Sequence, residues 1–536
     1  MTLKRVLIIT VAALLIAAQS LAACTIFAVG KDATVDGSTI TSHTCDSNSD
    51  DFRLWLIPSM EAGTERDIVL NGRAGADYSQ FPEVKNYGTG GMVLGSVTYD
   101  KPTNQYLHGM YSFANDKGLA MGESTCTYSR STEQGKKLRE VYSRDEGIID
   151  CYMLQDMALE TCSSAREAVE YMGKIIDEYG WNGAAECINI CDGDEAWVFE
   201  AYGAHVWCAV RVPDDAVFVA ANRARINHID FNDPENYKWS ENIQSYALEN
   251  DLWDGVSDFE PCNIYALNKE NNLGCTLREW RALSLLKSDL NLDPFGDPDD
   301  YPLFVVPDEK VSVATIHRLC SDYYAGTEFD CSRTVQSGPF GNPISNLNVY
   351  RPINMFRCTY IQVANIKSWL PDEAKCLVWV GWNAPDSTYL TPIFASVTKL
   401  PEQVGIGQRL LPYDENSAWW VTAGVQQTAT INYDYAIDVI HGIRDPKMES
   451  IYKTTASIQD LAASMINVGM KDEAVDLLTN YTTTVANDWH ETWKALDKDL
   501  RSTLMFGNVD MRVPKASDWW TNIVNENLGD KLKPVE

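Results

Sequence analysis

Short apolar runs separated by turn residues fill the chain from Cys24 to about Gly135. The run CTIFAVG, which begins at Cys24, is followed by the turn-rich KDATVDG and then by STITSHT, an order that predicts a β-hairpin. The first of these strands is apolar on both faces, with Ile26 on one and Phe27 on the other. We therefore expect it to be covered on both sides.

Helical spacing follows this strand-rich part. One helix is predicted from about Ile148 to Glu160, and a second begins with a capping box at Ser164 and Glu167 and ends at Gly180. Strand-like runs then return as a β-meander in CINIC, AWVFEAY, HVWCAVRV and AVFVAAN. This order predicts an α+β fold, in which helices pack on an antiparallel sheet, rather than alternating βαβ units.

The second half of the chain is less regular. Residues 285–310 are rich in proline and aspartate and are typical of a long loop or lid. Strand-like material resumes over about 333–396, and residues 457–500 have helical spacing that predicts a cap or buttress for the body. The tryptophan pairs at 419–420 and 519–520 favour packing over ligand stacking.

The N-terminus has the order of a secretory signal. The basic MTLKR precedes the apolar VLIITVAALLIAA, and small residues follow up to Ala23. This apolar core is too short for a comfortable membrane span. We therefore predict a signal peptide over residues 1–23 and an exported mature protein in the periplasm, outside the cell or at its surface.

The charge of the chain bears on its binding partners, and its cysteine content bears on disulfides and metal sites. The chain has 75 acidic and 44 basic residues and a net charge of −31, which argues against nucleic acid and anionic membranes as partners. Fourteen cysteines are present, so 13 remain when Cys24 is set aside, and disulfides are permitted in an exported chain. No CxxC pair occurs, and neither a metal site nor a cofactor is predicted.

Several catalytic motifs are absent, and one chemistry remains. The sequence contains no HExxH, GxSxG, GxGxxG or Walker loop. Processing before Cys24 would instead give an N-terminal cysteine, whose α-amine has an ordinary pKa near 8 and can act as a base for its own thiol. Such a site also needs a group that holds the amine, donors for the oxyanion and a rigid strand.

The segment CTIFAVGKDATVDGSTITSHTCDS resembles the mature start of the bacterial dipeptidase A family of cysteine N-terminal nucleophile (Ntn) hydrolases. These are related to choloylglycine (bile-salt) hydrolases and penicillin V acylases. NDKGLAMGEST, VFVAANRARI and RTVQSGPFGNPI also resemble family segments, and the resemblance runs to roughly residue 400. It implies a four-layer αββα sandwich of two antiparallel sheets over 24–400. A partly helical C-terminal extension, 401–536, would pack on this body.

The resemblance also implies roles for individual residues. Cys24 would be the nucleophile, Asp46 would orient its amine or thiol, and Asn222 would donate to the oxyanion. Arg333 would be a charged residue near the site. His43 stands where many relatives have arginine, and a histidine replaces that charge only when protonated.

Each of these residues also has a simpler structural interpretation. Asp46 and Asn222 are common turn formers, and His43 fits a strand histidine. Arg333 fits a surface ion pair. Cys45 is expected to be a disulfide half or a buried thiol, and Glu123 is expected to line the pocket.

Cys24 itself leaves the function open between classes. The preceding LAA makes LAAC, which fits a bacterial lipoprotein signal, and lipidation would remove both the thiol and the amine. The prediction is a secreted amidohydrolase that cleaves dipeptides, without membrane contact unless Cys24 is lipidated. The alternatives are a lipid-anchored, non-catalytic binding protein and an Ntn acylase that acts on a non-peptide amide. A homo-oligomer is left open.

Overall fold

The computed structural model describes residues 23–48, 50–70, 92–126, 131–267, 273–345, 347, 349–407 and 412–528. The predicted signal peptide lies outside the described residues, apart from Ala23 at the start of the first strand. Among the described residues, no helix has both the length and the apolar character needed to cross a membrane.

The strands, in chain order, are β1 Ala23–Val29, β2 Thr39–Asp46, β3 Trp55–Ile57, β4 Glu65–Leu70, β5 Met92–Thr98, β6 Tyr106–His108, β7 Ser112–Asn115, β8 Ala120–Thr125, β9 Glu186–Cys191, β10 Ala196–Gly203, β11 Val206–Val212, β12 Val217–Ala220, β13 Tyr237–Trp239, β14 Phe304–Val305, β15 Cys358–Ile366, β16 Cys376–Trp382 and β17 Thr391–Phe394. The helices are α1 Glu133–Arg144, α2 Cys151–Thr161, α3 Ala165–Tyr179, α4 Ile243–Glu249, α5 Pro261–Tyr265, α6 Leu273–Leu286, α7 Val313–Cys320, α8 Asp372–Lys375, α9 Ala418–Ala429, α10 Tyr433–Asn467, α11 Lys471–Thr503 and α12 Asp518–Leu528.

Two large antiparallel sheets organise the described strands. One has the order β14-β12-β1-β2-β15-β16-β17 and the other β13-β11-β10-β9-β8-β7-β6-β3, while β4 and β5 form a separate ribbon. The predicted hairpin is confirmed, because β1 pairs with β2 and places Cys24 opposite Cys45. Residues 24–29 are fully buried, as expected for a strand that is apolar on both faces.

Side chains that cross between the sheets show that these sheets pack face to face. Asn189 of β9 donates from Nδ2 to the carbonyl oxygens of Phe27 (2.6 Å) and Ser42 (3.1 Å) in the other sheet. Gln362 of β15 donates to the carbonyl oxygen of Met121 on β8 at 3.1 Å. These bonds satisfy the amide N–H donors of Asn189 and Gln362, which would otherwise be buried without partners.

Helices cover the outer faces. Trp207 of β11 donates its indole N–H to Asp177 of α3 at 2.8 Å. On the other side, the ring of Tyr389 stacks on Trp489 of α11 with centroids 4.8 Å apart. The α+β class with two antiparallel sheets and a helical C-terminal region is therefore confirmed, whereas the Ntn type of this layering and the boundary at residue 400 stay predictions.

The predicted helix pair is present. The first helix begins slightly later than expected, because the Asp150 carboxylate accepts a hydrogen bond from the Met153 N–H and caps α2. Ser164 caps α3 by accepting from the Glu167 N–H, and Gly180, with φ of 70°, ends it.

The structure differs from the sequence-based predictions in three details. The last strand of the predicted meander, β12, leaves its neighbours and pairs with β1 in the other sheet; its apolar pattern predicts burial but does not specify a partner. Strands after residue 333 begin only at Cys358, because Gly338 and Gly341, both with positive φ, break the preceding segment into 3-10 turns. The helical segment at 457–500 belongs to two longer helices, α10 and α11.

Candidate active site

Cys24 lies near the start of β1, in the middle of its sheet, and its side chain is fully buried. Its backbone nitrogen donates to Oδ1 of Asn222 at 3.1 Å. Its carbonyl oxygen accepts from the Ser124 hydroxyl at 3.3 Å and from Arg278 at 2.8 Å. Side chains distant in sequence therefore hold both the backbone nitrogen and the carbonyl oxygen of the predicted nucleophile.

Asn222 follows the end of β12 and adopts a left-handed backbone conformation, with φ of 61°. Asparagine tolerates this conformation better than most residues. Its Oδ1 accepts from the Cys24 nitrogen and from Nη2 of Arg278 (2.8 Å), while Nδ2 donates to the carbonyl oxygen of Thr125 at 2.8 Å. Asn222 therefore adopts a turn conformation and also bonds to the backbone of Cys24, so the two interpretations of this residue are compatible.

Arg278 is a site residue that the sequence analysis missed. It lies on α6, is fully buried, and donates to the Cys24 carbonyl, to Oγ1 of Thr25 (3.0 Å) and to Oδ1 of Asn222. It therefore links the strand of the cysteine to the end of β12. In the sequence, one arginine within a helical pattern gives no signal for burial, since most arginines are exposed.

His43 and Glu123 meet beside the cysteine sulfur. The Cys24 thiol donates to Oε1 of Glu123 at 3.0 Å, and Nε2 of His43 lies 3.1 Å from the same oxygen. All three side chains are fully buried. The ring of His43 meets Tyr111 and Tyr360 edge to face, with centroid separations of 5.3 Å and 5.6 Å.

The register of β1 and β2 explains this meeting. Cys24 faces Cys45, and Ile26 faces His43, so these side chains lie on one face of the sheet because alternate residues of a strand share a face. That face packs on β8, which carries Glu123. Among the described residues, the sulfur, a ring nitrogen of His43 and a carboxylate oxygen of Glu123 all lie within 4.8 Å of one another, a set of atoms that is able to hold a metal ion.

Asp46 lies on the opposite face of β2. It is paired with Ala23, one residue before Cys24, and its Oδ2 lies 3.5 Å from Nη2 of Arg351. Burial raises the pKa of the Asp46 carboxyl, and the charges of Arg351 and Arg278 partly offset that rise. Within the described structure, Oδ1 of Asp46 is buried without a hydrogen-bond partner.

The electrostatics at the sulfur favour a neutral thiol. Burial raises the pKa of Cys24 well above its ordinary value, and the negative charge of Glu123 raises it further. Burial would also raise the pKa of Glu123, but the contact with His43 and the hydrogen bonds with Glu186 and Cys24 together lower it. Glu123 is therefore a carboxylate that accepts a hydrogen bond from the thiol. Because the thiol is neutral, nucleophilic attack requires a base.

Arg333 is an exposed residue, unlike the buried groups around Cys24. It ends the 3-10 turn Cys331–Arg333, its side chain is 65% exposed, and Nε lies 3.8 Å from Asp330. Its predicted role near the site stays a prediction. Cys45 is a buried thiol whose Sγ contacts Oδ2 of Asp50 at 3.5 Å.

The structure thus places a buried cysteine on an inner strand, between two antiparallel sheets and beside a carboxylate. The sequence profile of peptidase family C69 matches residues 23–445, so the chain belongs to that family.

Relatives with known names agree with this assignment. A probable dipeptidase of Latilactobacillus sakei is 28% identical over 399 residues, which is 71% of this chain and 76% of the relative. A probable dipeptidase A of Streptococcus pyogenes serotype M18 is 27% identical over 395 residues, with the same coverage of 71% and 76%. Dipeptidase A of Lactobacillus helveticus is 25% identical over 432 residues, 76% of this chain and 82% of the relative.

Proposed function

We propose that this protein is a peptidase that hydrolyses dipeptides with Cys24 as an N-terminal nucleophile, after export and removal of residues 1–23. The names of the relatives support the dipeptide substrate, and the family match, which begins at residue 23, supports a mature start at Cys24. The observation that carries the mechanism is the hydrogen bond between the Cys24 nitrogen and Oδ1 of Asn222, at the end of a rigid, buried strand.

Removal of Ala23 would turn the backbone nitrogen of Cys24 into an α-amine in the same place. Asn222 Oδ1 would then hold one of its hydrogens, and Oδ1 of Asp46, which has no hydrogen-bond partner within the described structure, would be available for another. With its lone pair directed at the thiol, directly or through one water, the amine would act as the general base.

The reaction then proceeds in two halves. The amine takes the thiol proton while Sγ attacks the peptide carbonyl carbon, and Nδ2 of Asn222 stabilises the oxyanion that forms. The protonated amine returns the proton to the leaving nitrogen, which departs as the second amino acid and leaves a thioester on Cys24. Water, deprotonated by the same amine, hydrolyses the thioester and restores the thiol.

One observation favours a second candidate. The sequence LAAC fits lipidation of Cys24, which would convert the thiol to a thioether and, in most such proteins, acylate the amine. The protein would then be a lipid-anchored binding protein without catalysis. An Ntn acylase that cleaves a non-peptide amide uses the same groups as the dipeptidase, and differs only in substrate.

Hydrolysis of a panel of dipeptides, with their N-acetylated forms and penicillin V as comparison substrates, tests the proposal. We expect release of free amino acids by the wild type, loss of that activity in Cys24→Ala, and retention in Cys376→Ala, which removes another buried thiol. Equal dipeptide hydrolysis by Cys24→Ala would contradict the proposal. Turnover of penicillin V in place of dipeptides would favour the acylase.

A further inference from the structure

Cys24, His43 and Glu123 form a buried group that has more metal-ligating atoms than hydrolysis by an N-terminal cysteine uses. That mechanism uses the thiol and the amine of Cys24, whereas His43 and Glu123 lie on the sulfur side of the residue. Nδ1 of His43 makes no hydrogen bond within the described structure, although the side chain is fully buried, and Nε2 has the contact with Oε1 of Glu123. Buried polar atoms without partners are uncommon, and each calls for a physical explanation.

Thiolate, imidazole and carboxylate are the ligands that zinc prefers. A tetrahedral zinc ion with bonds of about 2.3 Å to sulfur and about 2.0 Å to nitrogen or oxygen needs ligand atoms roughly 3.3–3.5 Å apart. Here the sulfur and Oε1 of Glu123 are 3.0 Å apart, and Oε1 and Nε2 of His43 are 3.1 Å apart. Outward movement of about half an ångström at Oε1 would bring these two separations into that range, and the sulfur and Nε2 of His43 lie within 4.8 Å of each other.

We propose that Cys24, His43 and Glu123 form an inhibitory binding site for a borderline-soft divalent cation such as Zn²⁺. The inference rests on the proposed function in one respect, that the mature protein has a free thiol and a free amine at Cys24. The nitrogen and sulfur of an N-terminal cysteine close a five-membered chelate ring on a metal. The α-amine therefore supplies a fourth ligand once residues 1–23 are removed.

Metal binding at this place would stop hydrolysis for a direct reason. The ion replaces the thiol proton, which leaves to solvent, and the sulfur lone pair that attacks the substrate becomes a metal bond. The amine that acts as the base is bound by the same ion. Zinc therefore removes the nucleophile and the base together, and a chelator restores both.

The sequence gives no signal for this site. Its three residues are far apart in the chain, at positions 24, 43 and 123, and none belongs to a CxxC or HExxH motif. The pairing of β1 with β2 and the packing of β8 on both bring them together. The site is thus a product of the tertiary structure.

The test uses the mature protein and two separate readouts. Co²⁺, a spectroscopic substitute for zinc, is titrated into metal-free protein, and Zn²⁺ then displaces it. We expect a thiolate-to-cobalt charge-transfer band with one ion per chain, and zinc-dependent loss of dipeptide hydrolysis that a chelator reverses. Mg²⁺, which prefers oxygen ligands, is expected to have no such effect at the same concentration.

Variants assign the ligands. His43→Arg replaces the imidazole ligand with a guanidinium, which does not bind metal, and Glu123→Gln replaces the carboxylate with an amide of similar shape. Each is expected to weaken zinc binding by about tenfold or more, since loss of even a supporting group costs about 10–100-fold. Cys376→Ala is the matched control and is expected to keep wild-type zinc affinity. Circular dichroism verifies that each variant is folded.

The possible outcomes separate the two proposals. A cobalt band without dipeptide hydrolysis overturns the proposed function and leaves the metal site standing. Hydrolysis without a cobalt band, unchanged zinc affinity in folded His43→Arg, or zinc-dependent activation in place of inhibition overturns the metal site. A lipid adduct on Cys24 overturns both.

Discussion

Buried polar contacts hold the atoms of Cys24 that the proposed mechanism uses. Oδ1 of Asn222 holds the nitrogen, Arg278 holds the carbonyl oxygen, and Glu123 accepts from the thiol. Because the surroundings exclude water, each contact costs more to lose than it would at a surface. We therefore expect substitution of these residues to lower turnover by more than the accompanying loss in the free energy of unfolding would explain.

Two substitutions of Asn222 distinguish the role of its amide N–H donor from that of its oxygen acceptor. Asn222→Ala and Asn222→Asp both lack the N–H donor proposed for the oxyanion, and we expect kcat to fall by about 10²–10³-fold in each, the usual cost of one such donor. Asn222→Asp still offers an acceptor to the Cys24 nitrogen. Near-wild-type kcat in Asn222→Asp would show that the donor role is wrong and that only the holding of the nitrogen matters.

Two arginines offer a direct comparison of buried and exposed positions. Arg278 bonds the Cys24 carbonyl from a fully buried position, whereas the side chain of Arg333 is 65% exposed. Arg278→Ala is expected to lower kcat/KM by about 10²-fold, since small displacements of reacting groups carry costs of that order. Arg333→Ala is expected to cause a much smaller loss. An equal or larger loss in Arg333→Ala would instead support the role that the family resemblance implies.

At the scale of elements, the site depends on the close approach of β8 to β2. Gly122, next to Glu123, has no side chain, and a Cβ atom built there would lie 2.8 Å from Cβ of His43 and 3.0 Å from the carbonyl oxygen of Ser42. Such contacts are shorter than packed carbon atoms tolerate. Glycine at this position allows the two sheets to bring Glu123 and His43 together.

Gly122→Ala should push β8 away from β2. We expect a loss of about 1–3 kcal/mol in the free energy of unfolding, the usual cost of overpacking, together with weaker hydrolysis. Gly442→Ala is the control, because Gly442 lies in α10 and an added Cβ there meets no atom within 4 Å. It should be neutral or slightly stabilising through helix propensity. Equal stability of the two variants, measured by denaturant unfolding, would contradict the close-packing argument.

Local patterns predicted many of the elements, and long-range pairing accounts for the rest. The β1–β2 hairpin and the cap of α3 depend on neighbouring residues, so period and capping rules identify them. The transfer of β12 to the other sheet depends on a partner almost 200 residues away, and a two-sided apolar pattern does not reveal it. Arg278 was missed for the same reason, since its burial is set by the contact of α6 with β1 and β12.

At the scale of the whole molecule, the C-terminal helices are fixed to the sheets by aromatic packing. Trp489 of α11 is fully buried and stacks on Tyr389, which precedes β17, while Trp493 meets both rings edge to face. Burial of rings of this size contributes strongly to stability. We therefore expect the C-terminal helices and the sheets to unfold together.

Trp489→Ala tests this coupling. We expect the free energy of unfolding to fall by about 3–5 kcal/mol, the usual cost of truncating a buried aromatic residue. Trp369→Ala, whose side chain is 56% exposed, should change it within about 0.5 kcal/mol. A separate, earlier transition of the C-terminal helices in the Trp489→Ala protein, seen by two spectroscopic probes, would show that this region folds independently.

The proposed mechanism requires a mature chain that begins at Cys24, with its thiol and α-amine both unmodified. Intact-mass spectrometry of the protein purified from its exported fraction, combined with N-terminal sequencing, measures this. The expected mass is that of residues 24–536 with no adduct, and the first residue is an unmodified cysteine. A diacylglyceryl adduct on Cys24, or a mature chain that begins at any other residue, would contradict the mechanism.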